Sequence, residues 1–139
     1  MKTLYCIGGE SATGKTTLRT TDDFLSNLPY VDLREIRSAH PKLVPGAVFS
    51  VALRCVEVLL SDSPAVVLEA YFRPESFQRI QVVRFSQRLE VKIEWRYLTA
   101  TFAELVDRIE KQFRSGGDFE FYQRRLTMLS QAKKSGLID

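Results

Sequence analysis

Histidine is nearly absent from this chain of 139 residues: His40 is the only one. A single imidazole rules out zinc sites built on paired histidines and leaves Ser/His/Asp or Cys/His machinery almost nothing to work with. Beside Pro41, His40 reads as a loop residue. Cysteine is scarce too. Cys6 and Cys55 stand alone in apolar stretches with no CxxC or metal-ligand spacing, so both read as small buried side chains. No apolar run approaches the length of a membrane span, and Met1-Lys2 leads straight into the first apolar stretch. Neither a signal peptide nor an anchor is therefore expected, and the expected location is the cytoplasm. Repeats, low-complexity tracts and linkers are missing as well, so residues 1–139 are expected to form one domain.

Charge of both signs is present but uneven. Residues 1–72 carry 7 Lys/Arg against 8 Asp/Glu, and residues 73–139 carry 13 against 9. The basic half is where a polyanion, nucleic acid or nucleotide, would be received. With 45% hydrophobic and 27% charged residues the chain has ordinary globular composition, which excludes a disordered or fibrous protein.

The strongest signal is Gly9-Glu10-Ser11-Ala12-Thr13-Gly14-Lys15-Thr16, which fits the phosphate-loop pattern G-x-x-x-x-G-K-[ST] at every fixed position. A loop wrapped around a phosphate tail must turn sharply and expose successive backbone N–H groups, and Gly9 and Gly14 permit that. Lys15 would reach the β- and γ-phosphates, and Thr16 would offer its hydroxyl to Mg²⁺. Gly9, Ser11, Ala12, Thr13, Gly14, Lys15, Thr16 and Thr17 are thus the expected nucleotide-binding residues. The pattern needs a strand before it and a helix after it. Residues 3–7 form a β-prone run, and residues 17–28 can carry a helix with Leu18, Leu25 and Leu28 turned inward.

Downstream, strands alternate with helices in the manner of a parallel sheet covered on both faces. Residues 29–33 read as a second strand and 34–46 as a loop-rich stretch. A helix follows over about 47–60, apolar on most sides, and Ala65 to Leu68 is a buried central strand. Glu69 lies just past it, where an acidic residue holds magnesium directly or through water. Pro74 and Glu75 open a helix to Leu89 with Phe77, Ile80 and Val83 toward the sheet. Residues 91–98 alternate as a fourth strand near a sheet edge, with Trp95 in the core. Thr101 and Glu104 form a capping box for a helix reaching Gly116-Gly117. A last helix spans about 118–134, and residues 136–138 supply at most a brief fifth strand.

Leu68-Glu69-Ala70-Tyr71-Phe72-Arg73 resembles the Leu-Asp-Gly-Phe-Pro-Arg stretch of adenylate kinases, and with the phosphate loop it makes the chain similar to small P-loop kinases of the nucleoside-monophosphate, shikimate and polynucleotide kinase group. That resemblance implies a three-layer α/β/α P-loop fold with a parallel sheet of four to five strands in the order 2-3-1-4-5. It implies ATP or another NTP and Mg²⁺ as cofactors, with Thr16 and Glu69 toward the metal. Arg73 would contact a phosphate, although Glu, Ala and Phe stand where the family has Asp, Gly and Pro. After the second strand, where hydroxyl-phosphorylating members carry an Asp that orients the acceptor, Asp32 is the favoured match. Glu35 is the alternative, and Arg34 and Arg37 are the basic neighbours. The segment near 108–125 falls at the place of the lid, whose arginines close over the triphosphate; Arg108 and Arg114 are favoured there over Arg124 and Arg125.

The function expected from these residues is transfer of the γ-phosphate to a hydroxyl of a nucleotide or nucleic acid, a 5′-end or modified base. The alternatives are a small-metabolite or nucleoside-monophosphate kinase, and a P-loop NTPase without a separate acceptor. A membrane partner is not expected.

Overall fold

Four short strands carry β-prone or wholly apolar sequence, and all four run parallel in the computed structural model, which describes residues 1–139. They are β1 (Thr3–Gly8), β2 (Tyr30–Asp32), β3 (Ala65–Glu69) and β4 (Lys92–Tyr97), in the spatial order β2-β3-β1-β4. That is the expected order without its fifth member. Residues 136–138 instead turn back after the last helix, with the Leu137 N–H donating to the Ala132 carbonyl at 2.9 Å, and Ile138 is buried in a local apolar cluster. A 3-residue segment tied into a helix end in this way has no backbone groups directed at a strand.

Alternate side chains of the strands face opposite layers. Leu4, Cys6, Val31, Val66 and Leu68 point to one face and form the main core with α3 (Pro45–Asp62) and α4 (Phe77–Leu89). Ile7 and Val67 point to the other and meet Leu18 and Leu25 of α1 (Lys15–Thr21) and the 3₁₀ turn Leu25–Asn27. β3 is buried along its whole length, as its unbroken apolar sequence requires. The helices α5 (Phe102–Arg114) and α6 (Phe119–Lys134) pack on each other through Leu105, Ile109, Leu129 and Ala132, and Ala12 of the phosphate loop touches this cluster. No helix is long and apolar enough to cross a membrane.

Four local expectations change. The first helix ends at Thr21 and does not reach Leu28, because the Thr20 and Thr21 hydroxyls bond back to the Thr16 and Thr17 carbonyls while the Asp22 carboxylate takes the Phe24 and Leu25 N–H groups at 2.9 Å. The stretch read as a loop contains α2 (Leu33–Ala39), started by Asp32, whose side chain accepts from the Arg34 N–H. Cys55 is exposed, since α3 buries only the stripe of Val48, Phe49, Ala52, Val56 and Leu60. In α4 the buried residues are Val82 and Phe85, and Phe77, Ile80 and Val83 face outward. The phase of α4 is set by polar contacts: the Phe72 N–H donates to Gln78 Oε1, and Arg79 Nε donates to the Phe72 carbonyl from between the rings of Trp95 and Tyr97. The helix also begins at Phe77, after Ser76 as N-cap, and not at Pro74. Thr101 caps α5 as its sequence predicts, receiving the Glu104 N–H at 3.2 Å.

Candidate active site

Parallel strands deliver their carboxyl ends to one edge of the sheet, and the register fixes what meets there: Asp32 opposite Glu69, and Glu69 opposite Ile7, just ahead of the Gly8-Gly9 turn. Residues 9–14 then form a loop before α1. Gly9 has φ +139, and a Cβ there would lie 2.5 Å from the Leu98 carbonyl oxygen; Gly14 has φ +99 and stands at the N-cap of α1. Both conformations are open to glycine and strained for other residues. The loop is anchored by the Gly9 N–H, which donates to the Tyr71 carbonyl at 2.9 Å, and by the Thr13 hydroxyl, which donates to the Glu10 carbonyl at 2.7 Å.

Lys15 folds back into this loop, donating to the Gly9 carbonyl at 2.6 Å and the Glu10 carbonyl at 3.2 Å, with its ammonium 4.6 Å from the centre of the Tyr71 ring. Burial pulls its pKa down to about 8 against the opposing pull of Glu69, Glu10 and Asp32. Thr16 donates its hydroxyl to Glu69 Oε1 at 2.7 Å. Glu69 is itself buried, and Arg19 Nε binds its other oxygen at 2.9 Å while the Arg19 guanidinium lies 3.6 Å above the Tyr30 ring.

Asp32 is buried next to Glu69. One carboxylate oxygen caps α2; the other, Oδ2, is buried without a hydrogen-bond partner and lies 3.5 Å from Arg34 Nη2. Burial raises the Asp32 pKa above the usual carboxylate value, and the charge of Glu69 adds to that rise. Glu35, the alternative, is on exposed α2 and accepts from the Tyr30 hydroxyl at 3.2 Å. Arg34 and Arg37 are exposed on the same helix. Between α2 and α3, beside Asp32, runs a groove of about 480 Å³ lined by Tyr30, Ile36, Cys55, Val58 and Leu59.

On the far side of Lys15, Arg73 forms a two-pronged pair with Glu10, Nε to Oε2 at 2.8 Å and Nη2 to Oε1 at 2.6 Å. The connection between β3 and Arg73 is strained: Phe72 is fully buried with φ +48. Above the loop, Arg108 of α5 donates to the Ala12 carbonyl at 3.0 Å and Arg125 of α6 donates to the Ser11 hydroxyl at 2.7 Å. Arg114 sits on the solvent side of α5 paired with Glu110, and the Arg124 guanidinium rests 6.0 Å from the Phe121 ring. The structure therefore gathers Lys15, Thr16, Asp32, Glu69, Arg73 and Arg108 around one loop and adds Arg125, while Arg114, Arg34 and Arg37 stand at the periphery. Glu10, Arg19 and Tyr71 belong to the same cluster and were not singled out from the sequence. The only available signal for Arg19 is its position one helical turn after Lys15.

The oxygen donors here, Thr16 and Glu69 with Asp32 alongside, suit a hard cation such as Mg²⁺, and the unpartnered Asp32 oxygen points to a missing polar neighbour. No group of three or more His, Cys, Asp or Glu is placed to hold a metal ion unaided. Thr16 and Glu69 would hold Mg²⁺ at this edge, with water and phosphate oxygens supplying the donors that the chain does not.

No protein-family model matches the chain, and no curated protein matches it. Solved structures do. A candidate kinase from Chloroflexus aurantiacus J-10-fl superposes with TM-score 0.73 at 17% identity, covering 92% of this chain and 77% of that one. A chain of the Pnkp1/Rnl/Hen1 RNA repair complex gives 0.67 at 19% identity, covering 96% of this chain and 46% of that one. The shikimate kinase of Bacteroides thetaiotaomicron gives 0.54 at 16% identity, covering 96% and 78%. The chain has the α/β fold of these P-loop kinase structures.

Proposed function

We propose that this chain is a Mg²⁺-dependent phosphotransferase that moves the γ-phosphate of ATP, or of another NTP, to a hydroxyl of a nucleotide or nucleic acid, a 5′-end or modified base. The observation that carries the reading is Asp32: a buried carboxylate with one unpartnered oxygen, placed beside the Thr16–Glu69 pair at the mouth of a phosphate loop. A carboxylate there can orient an attacking hydroxyl, and the groove beside it leaves room for an acceptor larger than water.

In this reading the backbone N–H groups of residues 9–17 cradle the phosphates, and Lys15 moves off its own loop carbonyls to meet the β- and γ-oxygens. Thr16 would hold Mg²⁺, with Glu69 helping directly or through water, and the ion would offset the charge of the phosphate oxygens. Asp32 receives or orients the acceptor hydroxyl proton through Oδ2, its other oxygen being held by the Arg34 N–H, so the carboxylate has one fixed orientation. Arg34, Arg37 and Arg73 offer cationic contacts to the acceptor, and Arg108, Arg114 and Arg125 of the α5–α6 hairpin close over the loop and exclude water, which keeps the γ-phosphate from hydrolysis. The RNA repair neighbour and these six arginines support a nucleic-acid or nucleotide acceptor. A small hydroxyl compound is the second reading, favoured by the largely apolar groove beside Asp32, whose volume suits one small molecule.

The test is incubation with γ-labelled ATP and Mg²⁺ against nucleosides, mononucleotides, DNA, RNA and sugars. Label should move to a hydroxyl-bearing acceptor and be abolished by Lys15→Ala, a change that leaves the melting transition in place. Release of labelled inorganic phosphate with every acceptor unlabelled would overturn the reading in favour of an NTPase.

A further inference from the structure

A guanidinium is charged at every accessible pH, so one buried in a protein interior must have its charge met. Arg19 is 8% exposed, and it has two partners: Glu69 Oε2 at 2.9 Å and the face of Tyr30 at 3.6 Å. The remaining Glu69 oxygen takes the Thr16 hydroxyl. Both oxygens of the carboxylate best placed to hold a divalent ion are thus engaged, and its charge is already balanced from within α1. Without Arg19 the sheet edge would present two adjacent carboxylates, Asp32 paired only with the exposed Arg34 and Glu69 left with the Thr16 hydroxyl. Such a pair attracts a divalent cation strongly at low dielectric.

We infer that Arg19 is the resident counter-ion of Glu69: it keeps that carboxylate from ligating a metal directly, so that the divalent ion enters only with a triphosphate and meets Glu69 through water. This rests on the reading of the loop as a nucleotide site. Arg19 is a positioning residue, acting through Glu69, and its guanidinium rests over the ring of Tyr30 on the edge strand. The same arrangement explains how the site holds two adjacent buried acids: Glu69 is paired with Arg19 and Asp32 with Arg34, and the charge of Lys15 acts on both.

Manganese is the probe, followed by the electron paramagnetic resonance of the free ion. The parent protein should show no saturable Mn²⁺ binding alone and one Mn²⁺ per chain in the presence of a non-hydrolysable ATP analogue. Arg19→Met should gain nucleotide-independent Mn²⁺ binding at least roughly tenfold tighter than the parent, and this gain should vanish in Arg19→Met/Glu69→Gln. Arg19→Lys, which keeps the charge, should behave as the parent. Saturable Mn²⁺ binding by the parent alone that Glu69→Gln removes would overturn the inference, and needs no Arg19 variant to fold. Equal Mn²⁺ affinity in parent and Arg19→Met would overturn it too. Failure of both proteins to bind the ATP analogue, measured separately by its own titration, would instead strike the nucleotide reading, and the metal-alone comparison would still decide the role of Arg19.

Discussion

The Glu10–Arg73 pair offers a sharp test because its two members are buried to different depths. The Glu10 side chain is 2% exposed and that of Arg73 is 31% exposed. Arg73→Ala therefore strands a carboxylate in the interior of the phosphate loop, whereas Glu10→Ala leaves a guanidinium that can turn toward water. Breaking a buried pair by removing one partner costs about 3–5 kcal/mol, and the partial exposure of Arg73 puts Arg73→Ala at the lower end, about 3 kcal/mol. Glu10→Ala should cost about 1 kcal/mol, the scale of hydrogen bonds whose surviving partner is resolvated. For a domain of this size, 3 kcal/mol corresponds to a fall of about 10 °C in melting temperature. The double variant should cost less than the sum of the singles, since neither charge is left stranded. Urea denaturation followed by far-ultraviolet circular dichroism on the four proteins reads all three quantities. Equal costs for the two single variants, or strict additivity in the double, would refute the reasoning that the depth of Glu10 sets the energetics of this loop.

Asp32→Asn should transfer phosphate roughly a hundredfold more slowly while binding ATP·Mg²⁺ nearly as the parent does, the scale for losing a positioned acid–base group. The same change should raise the melting temperature at neutral pH. A carboxylate whose folded pKa is raised holds its proton longer folded than unfolded, so its ionisation removes stability as pH rises through the acid range, and the neutral amide escapes that loss. Lys15 makes the opposite case: with a folded pKa near 8 it binds fewer protons folded than unfolded between about pH 8 and its ordinary 10.5, so the free protein should gain stability across that window and Lys15→Met should not. Phosphate restores the charged form, so nucleotide binding at pH 8.5 should take up protons, seen as buffer-dependent heats in titration calorimetry and absent with Lys15→Met. Among the hairpin arginines, Arg108→Ala and Arg125→Ala should each lower kcat roughly tenfold with little change in nucleotide affinity. Arg114→Ala should lower kcat as well, since closing brings the end of α5 inward from the position in which Arg114 pairs with Glu110; an unchanged kcat would return Arg114 to the solvated surface.

The sequence by itself determined the frame. A phosphate loop has a fixed spacing because the geometry of successive N–H groups around a phosphate has little freedom, and the β-prone run before it and the helix after it carry the same information locally. Order and type of the strands, burial of β3, the Thr101 cap and the end of α6 were legible for the same reason: each depends on neighbours in the chain. Asp32 and Glu69 could be placed at strand ends, and parallel register then brings them together with no further instruction. What the sequence could not carry is any contact whose partner is remote. Glu10 occupies a variable position of the loop and reads as solvated until Arg73, 63 residues on, is brought against it. Arg19 reads as the polar side of a short helix until β3 places Glu69 beside it. The phase of α4 was misread because Phe77, Ile80 and Val83 keep helical spacing as well as Val82 and Phe85 do, and periodicity cannot tell two apolar stripes apart; the Gln78 and Arg79 contacts to Phe72 decide between them. Cys55 looked buried for a related reason, since a helix apolar all round is buried only if something covers every face, and here nothing in the chain covers the groove side of α3. Local pattern specifies elements and the loop chemistry they carry; only tertiary packing, by removing particular charged groups from water, decides which of them must find each other.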